Sequence, residues 1–292
     1  MTVPAVPLSL ARVRGRRRAA DTAFTVFMWS CALIALIPLV VITSYVVAKG
    51  YGALSVNFFT KAPAGPLDPK SGGIAQAFIG TGMIVGIATL ISVPVGVLTA
   101  VYLAEYGRGR FAGTVRLVAE VLLSTPSIVA GAFIWSVVVV AMGSFSGLAG
   151  ALSLTVLMWP VIARATEEIL RLVPQELREG ALALGLPRWK VIVRVVIPTA
   201  GAGILTAVML AVARGLGETA PILLTALGNN FINTSPFRPT DAVPLTVYND
   251  ARTQVEALHV FAWGGALMLL VAVLVLSIAA RFLSNRQQKR IA

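Results

Sequence analysis

The sequence predicts an all-α protein: a polytopic membrane bundle of six transmembrane helices, with one short helix projecting on the cytoplasmic side. Three observations carry this. The chain of 292 residues is 57% hydrophobic and only 12% charged, whereas a water-soluble domain carries about a quarter charged residues. Six apolar runs reach the length of about 20 residues that a helix needs to cross the hydrocarbon core. One connection between runs, residues 166–199, is far longer than a junction requires and is amphipathic rather than uniformly apolar.

Residues 1–22 carry the basic tract ARVRGRRR, expected as a cytoplasmic anchor beside anionic lipid. The run Ala23–Ala48 that follows exceeds a signal-peptide core by about twofold and has no A-x-A cleavage pattern after it, so it is expected as a retained first helix. Residues 49–73 form a Pro/Gly-rich outer loop containing KAPAGPLDPKSGG, a composition that favours surface turns. The second span, Ile74–Ala104, is longer than the hydrocarbon core and should tilt or protrude, with Pro94 kinking it. The third and fourth, Val115–Met142 and Leu148–Ala165, are joined by the very short segment 143–147, so five or seven spans are the alternatives. The fifth is Gly201–Leu227, followed by a polar, aromatic and proline-rich outer loop, 228–259. The sixth, Val260–Leu283, leads to a basic tail, 284–292. Residues 74–283 make one membrane core.

Orientation follows from the 24 Lys and Arg residues. With an even number of spans and a cytoplasmic N-terminus, only Lys49, Lys61, Lys70, Arg238 and Arg252 fall in outer connections, and Arg214 lies within a run. The rest sit inside, as the positive-inside rule requires. The formal net charge of +12 does not indicate a nucleic-acid partner, because the basic residues mark the ends of apolar runs rather than one polar face. The one cysteine, Cys31, excludes a disulfide framework and reads as a small buried apolar residue. The single histidine, His259, reads as interfacial. There is no G-x-x-x-x-G-K-[ST], no H-E-x-x-H, no Cys/His cluster and no serine with a histidine base. No catalytic residue, metal site or bound cofactor is expected, and the energy source must be another polypeptide.

The long connection reads EEILRLVPQELREGALALGLPRWKVIVRVVIP. Pro174 can open a helix, because its missing N–H would be unpaired there anyway. Glu176 and Glu179 then fall in or near the first turn, at the positive end of the helix dipole. Leu177, Ala181 and Leu184 recur at helical spacing as one apolar stripe. Gly185 suits a left-handed cap, and Pro187 prevents simple continuation. Such a helix is built to be gripped by another protein, or else to lie on the membrane surface.

Written as spacing, Glu179-Gly180-Ala181, three residues, Gly185, nine residues, Val195-Val196-Ile197-Pro198 resembles the EAA signature of ABC importer permeases, E-A-A-x3-G-x9-I-x-L-P. Gly180 departs from it at an alanine. Glycine weakens a helix by about 1 kcal/mol relative to alanine, and it admits a closer backbone approach. VYLAEY, LLSTPSIVAGAF and RVVIPTAGAGILTAVMLAVARGLGETAPILLTA extend the likeness to the phosphate-specific importer permeases over most of Ile74–Leu283. The resemblance implies a transmembrane subunit of an ATP-driven phosphate importer in a prokaryotic plasma or inner membrane. It implies as partners a second, similar permease subunit, two copies of an ATP-binding subunit that hold the ATP and magnesium, and an external phosphate-binding protein. By resemblance, Glu179, Gly180, Ala181, Leu184 and Gly185 couple to the ATP-binding subunit. Sulfate or molybdate is the alternative cargo. An ion-coupled secondary transporter calls for inverted repeats, which the sequence lacks.

Arg214 and Glu218 lie in the otherwise apolar stretch LTAVMLAVARGLGETAPILLTAL. A charge at the centre of a spanning helix costs roughly 2.5–3.5 kcal/mol on insertion scales. Their spacing of four places both on one helical face, and Gly215 and Gly217 thin that helix for close packing. Two readings follow. The guanidinium offers paired donors to an oxyanion in a translocation pathway, with Glu218 neutralising it at rest, or the two residues form a structural ion pair. The resemblance favours the pathway. Glu120 and Arg164 are weaker candidates, Arg164 being read as a cytoplasmic anchor.

Overall fold

The computed structural model describes residues 15–65 and 71–291. Arg12, Arg14 and Lys70, used above to orient the chain, lie outside the described residues. The chain divides into two compact units, Met1–Ala48 and Lys49–Ala292. The first consists of most of helix α1, Gly15–Gly50. Its apolar side chains, among them Phe24, Trp29 and Ile42, are exposed. Cys31, expected to be buried, is exposed with them.

The second unit is helical almost throughout. After a 3-10 turn, α2 (Val56–Thr60) is capped by Ser55, whose hydroxyl accepts from the Phe58 N–H at 3.2 Å. Helix α3 spans Ala75–Val101 and continues as a π-turn, Tyr102–Tyr106. Then come α4 (Gly109–Ser124) and α5 (Ser127–Ile134), the latter extended by a π-turn to α6 (Val140–Met142). Helix α7 runs Gly147–Arg171, and the short α8 is Gln175–Ala183. Helix α9 (Arg188–Val191) passes through a π-turn into α10 (Ile197–Gly217). The chain closes with α11 (Ala220–Thr225), α12 (Val243–Arg252) and α13 (Glu256–Ile291).

Among the described residues, five helical stretches are long and apolar enough to cross a membrane: Ala20–Ala53, Ala75–Tyr106, Gly147–Arg171, Arg188–Gly217 and Glu256–Ser284. The expected third span is not continuous. Helices Gly109–Ser124 and Ser127–Met142 meet at 108°, so six spans are reached only by counting this bent pair as one. The cause is Pro126. It has no N–H for the Leu122 carbonyl, and it pushes Thr125 out of helical geometry. Thr125 accordingly has ψ 131 and Pro126 ψ 135.

The expected fifth span also differs. It begins at Arg188 and stops at Gly217, with Glu218 extended at ψ 121 before α11 resumes. Pro221 cannot donate to the Gly217 carbonyl, and two glycines weaken the turn before it. Pro94 and Pro160, set among strong apolar packing, lie inside α3 and α7 without ending them.

The core forms where α3 and α7 face each other. Ile84, Val85 and Ala88 meet Ala151, Leu154, Met158 and Ile162, and Ala211, Ile222, Ala242 and Leu245 close over them. Apolar area removed from water, at roughly 25 cal/mol per Å², fixes this contact irrespective of lipid only where it would otherwise face the aqueous ends. Within the membrane, close packing carries it. A second cluster joins Ala100, Leu170, Val173, Ala181, Val191, Val196 and Ala200, and it seats α8 on the bundle. At the opposite end the loop 228–242 folds over the start of α7, where Leu148 N donates to Pro236 O at 2.7 Å and Gly147 N to Arg238 O at 3.0 Å. This expected outer connector is therefore a cap on a helix N-terminus whose donors need partners.

Candidate functional site

Helix α8 is a preformed elbow. Gly185 has φ +80. Leu186 N donates to Ala181 O at 3.4 Å and Gly185 N to Leu182 O at 2.9 Å, the paired bonds of a Schellman ending. Leu186 packs in the same cluster as Ala181, the apolar contact that accompanies this motif. The expected stripe is divided between two destinations. Ala181 is buried in the chain's own core, whereas Leu177, Leu182 and Leu184 point outward, Leu184 at 84% exposure. Leu172 and Trp189 extend the outward apolar surface. Glu179 and Gly180 are exposed, and a side chain at position 180 would meet nothing within 4 Å.

The elbow is stapled by Arg178, whose role the sequence reading did not find. Its Nε and Nη2 donate to Glu105 Oε1 at 3.1 and 2.9 Å. Nη2 also donates to Leu170 O at 2.8 Å, and Nη1 to Val173 O. One guanidinium thus ties α8 to the ends of α3 and α7. Arg188 donates to the Glu105 carbonyl and lies over the Tyr106 ring, 4.8 Å from its centroid. Between these elements lies a cavity of about 470 Å³ lined by Glu105, Arg108, Arg171, Arg178, Glu179 and Arg188.

One turn deeper, Glu167 is 1% exposed and meets three arginines: Arg116 at 2.8 Å, Arg164 at 2.9 Å and Arg171 at 2.6 Å. Arg164 also reaches Glu120 at 3.2 Å, so it is part of a network rather than a solitary anchor. Arg116 Nη2 donates to Leu103 O at 2.8 Å. A buried carboxylate needs such partners to remain charged. This hub locks α4, α7 and the end of α3 together.

Arg214 and Glu218 do come together, with Nε 3.4 Å from Oε1. They sit at a helix break instead of mid-helix. Gly215 on the same turn faces the Met158 sulfur, and Met158 lies halfway along α7, so the break falls near the middle of the bundle's depth. Non-helical backbone at that depth is tolerated where protein or a watery cavity satisfies it. The Arg214 side chain is 45% exposed. Leu210 and Gly217, on the same face, are exposed too. A side chain at 217 would meet nothing within 4 Å.

On the loop face, Gln76, Asp241 and Thr246 are buried together. Asp241 Oδ2 accepts from Gln76 Nε2 at 3.1 Å and from Thr246 Oγ1 at 2.7 Å, and Oδ1 accepts from Ala242 N at 2.9 Å. Burial pushes the Asp241 carboxyl above its ordinary range, against the pull of these hydrogen bonds. Asp250 is pushed up to about 7, chiefly by burial and then by the charge of Asp241, with His259 opposing. The sequence reading singled out none of these residues except His259, whose Nε2 lies 2.8 Å from Thr253 O.

The geometry is that of a helical membrane bundle with an elbow and a charged break in one span, and comparison with known proteins shows it to be a transport permease. Residues 92–291 match the family model described as binding-protein-dependent transport system inner membrane component. The chain is similar to the phosphate transport system permease protein PstA of Xylella fastidiosa, 40% identical over 94% of this chain and 95% of that protein. It is 39% identical to PstA 1 of Mycobacterium tuberculosis over 98% and 95%. Among solved structures, the MetNI methionine ABC transporter in inward-facing form aligns at TM-score 0.59 and 20% identity, over 73% of this chain and 95% of that one. A bacterial alginate ABC transporter aligns at 0.67 and 14%, over 94% and 98%. These two show the fold alone. The chain belongs to the binding-protein-dependent transport system inner membrane components and, within them, to the PstA permeases. It is a component of a transport system rather than an enzyme.

Proposed function

We propose that this chain is the membrane subunit of an ATP-driven phosphate importer and supplies half of the translocation pathway. The observation that carries the reading is the elbow: a Schellman-ended helix with Leu177, Leu182 and Leu184 turned outward and Arg178 holding its base. An exposed apolar surface on a rigid, charged mount suits a protein partner. The names of the relatives supply the cargo. Both termini are cytoplasmic, the elbow faces the cytoplasm, and the 228–255 loop faces outward. Two ATP-binding subunits, holding ATP and magnesium, grip this elbow and its counterpart on a second, similar permease subunit. An external phosphate-binding protein delivers the anion.

Closure of the ATP-binding subunits moves α8. The Arg178–Glu105 bond passes that motion to α3, and the tight α3–α7 contact passes it to the core. The exposed face bearing Leu210, Arg214 and Gly217 lines the pathway with the second subunit. Arg214 engages Glu218 through Nε alone, which leaves its Nη groups to donate to a passing oxyanion. Glu218 competes for the same guanidinium, so phosphate does not stall there.

The test is the complete complex in sealed vesicles with the binding protein supplied. Phosphate is expected to stimulate ATP hydrolysis and to accumulate, and sulfate to do neither. Equal stimulation by sulfate, or phosphate uptake without ATP, contradicts the proposal.

A further inference from the structure

The cavity on the loop face has the opposite chemistry to the one beside the elbow. It measures about 480 Å³, and its polar lining includes Gln76, Asn229, Asp241, Thr246, Asn249 and Asp250. Among the described residues no Lys or Arg lines it, in a chain whose net charge is +12. Among the described residues neither Asp241 nor Asp250 has an ion-pair partner. The ionisable side chains that line the cavity, among the described residues, are these two carboxyl groups.

Gln76 gives the cavity a specific oxygen donor. It is 2% exposed and lines the cavity, and its Oε1 is buried without a hydrogen-bond partner. Turning the amide over does not cure this, because it would set oxygen against the Asp241 carboxylate, which accepts from every partner it has. An orphaned buried carbonyl calls for an explanation such as an ion. The position is also rigid. A side chain at Gly80 on α3 would come within 2.0 Å of the Asp241 carbonyl, so the segment bearing Asp241 lies directly on α3, one turn from Gln76.

We propose that this cavity binds one hard cation, with calcium the best fit, held by the Gln76 side-chain carbonyl and the carboxylates of Asp241 and Asp250. Two carboxylates with amide and hydroxyl oxygens are hard ligands. Calcium accepts 6–8 oxygens in a flexible arrangement, whereas magnesium demands near-ideal octahedral geometry. The ion ties the start of α3 to α12 and to the loop between them. The inference goes beyond the transport reading and does not depend on the cargo.

The experiment uses the purified full-length chain in lipid nanodiscs, with radioactive calcium binding and thermal unfolding at fixed ionic strength. Wild type is expected to bind one calcium per chain saturably and to gain thermal stability with calcium but not with sodium. Asp250→Asn is expected to weaken binding by about tenfold or more. Gln76→Glu is expected to unfold at lower temperature without calcium and to be restored by it, which a purely structural glutamine does not predict. Absence of saturable binding at millimolar calcium, or undiminished binding by Asp250→Asn, overturns the proposal. Because the readout is metal binding, its failure leaves the phosphate reading standing, and a different cargo leaves the cation site standing.

Discussion

The two charged regions of this permease are built to opposite standards. At the elbow end, Glu105, Glu167, Arg116, Arg164, Arg171 and Arg178 form bonds of 2.6–3.1 Å, and both of these carboxylates are almost wholly covered. At the break in the fifth span, Arg214 and Glu218 share one contact of 3.4 Å, with the arginine half exposed. Under the proposed function the difference is a division of labour: short bonds around two covered carboxylates transmit displacement, and a long single contact is exchanged for a passing anion.

The comparison breaks most visibly at its rigid end. Glu167→Gln strands three guanidinium groups around a buried site. Breaking a buried charge network costs about 3 kcal/mol or more, so a clear fall in unfolding temperature of the purified chain is expected. An unchanged transition would mean that the network is ornamental. Glu179→Lys comes next. Glu179 is exposed, so the complex should assemble normally while ATP-driven uptake falls by about tenfold or more, the usual scale of a coupling energy. Uptake per assembled complex reads the effect directly.

The break is then tested by Arg214→Gln. Loss of one charge-assisted bond to the anion, worth roughly 1.5–3 kcal/mol, should lower maximal phosphate flux with assembly intact. If assembly fails first, the pair is structural and the contrast with the elbow disappears. A smaller effect is expected from Gly185→Ala, because φ +80 is left-handed and alanine there costs about 1 kcal/mol. The loss should appear as faster hydrogen exchange confined to α8.

The smallest effect concerns Asp250, with a chelator present. Its pKa is raised from the ordinary 3.8 to about 7, so the folded state holds the proton more tightly than the unfolded chain. The stabilisation is fully present below the ordinary value and is lost as pH rises through about 7. Asp250→Asn should flatten that slope in a thermal-unfolding series. An identical slope in the variant would mean that another group titrates.

The elbow was legible in the sequence because its signals are local: Pro174, Gly185 and Pro187 each dictate backbone geometry within one or two residues. The apolar runs were legible for the same reason. What local spacing could not supply was partnership. Arg116 and Glu167 are 51 residues apart, and Gln76 and Asp241 are 165 apart. Only the α3–α7 and α3–loop contacts bring them together. The two span breaks had a readable sign in Pro126 and Pro221, yet Pro94 and Pro160 sit in unbroken helices. Local sequence does not separate these cases, because Ser92-Val93 before Pro94 are no better helix formers than Ser124-Thr125 before Pro126; Pro94 and Pro160 belong to the two helices that pack along the core.

The central claim is that the elbow is held by an ATP-binding subunit, and one thiol measures it. With Cys31→Ala as background, Leu184→Cys places a reactive group at the exposed C-cap of α8. Modification by a water-soluble maleimide is followed with and without the ATP-binding subunit. The account predicts ready labelling of the permease pair alone, strong protection in the full complex, and a change in that protection when ATP is bound. Equal labelling in every state would contradict it.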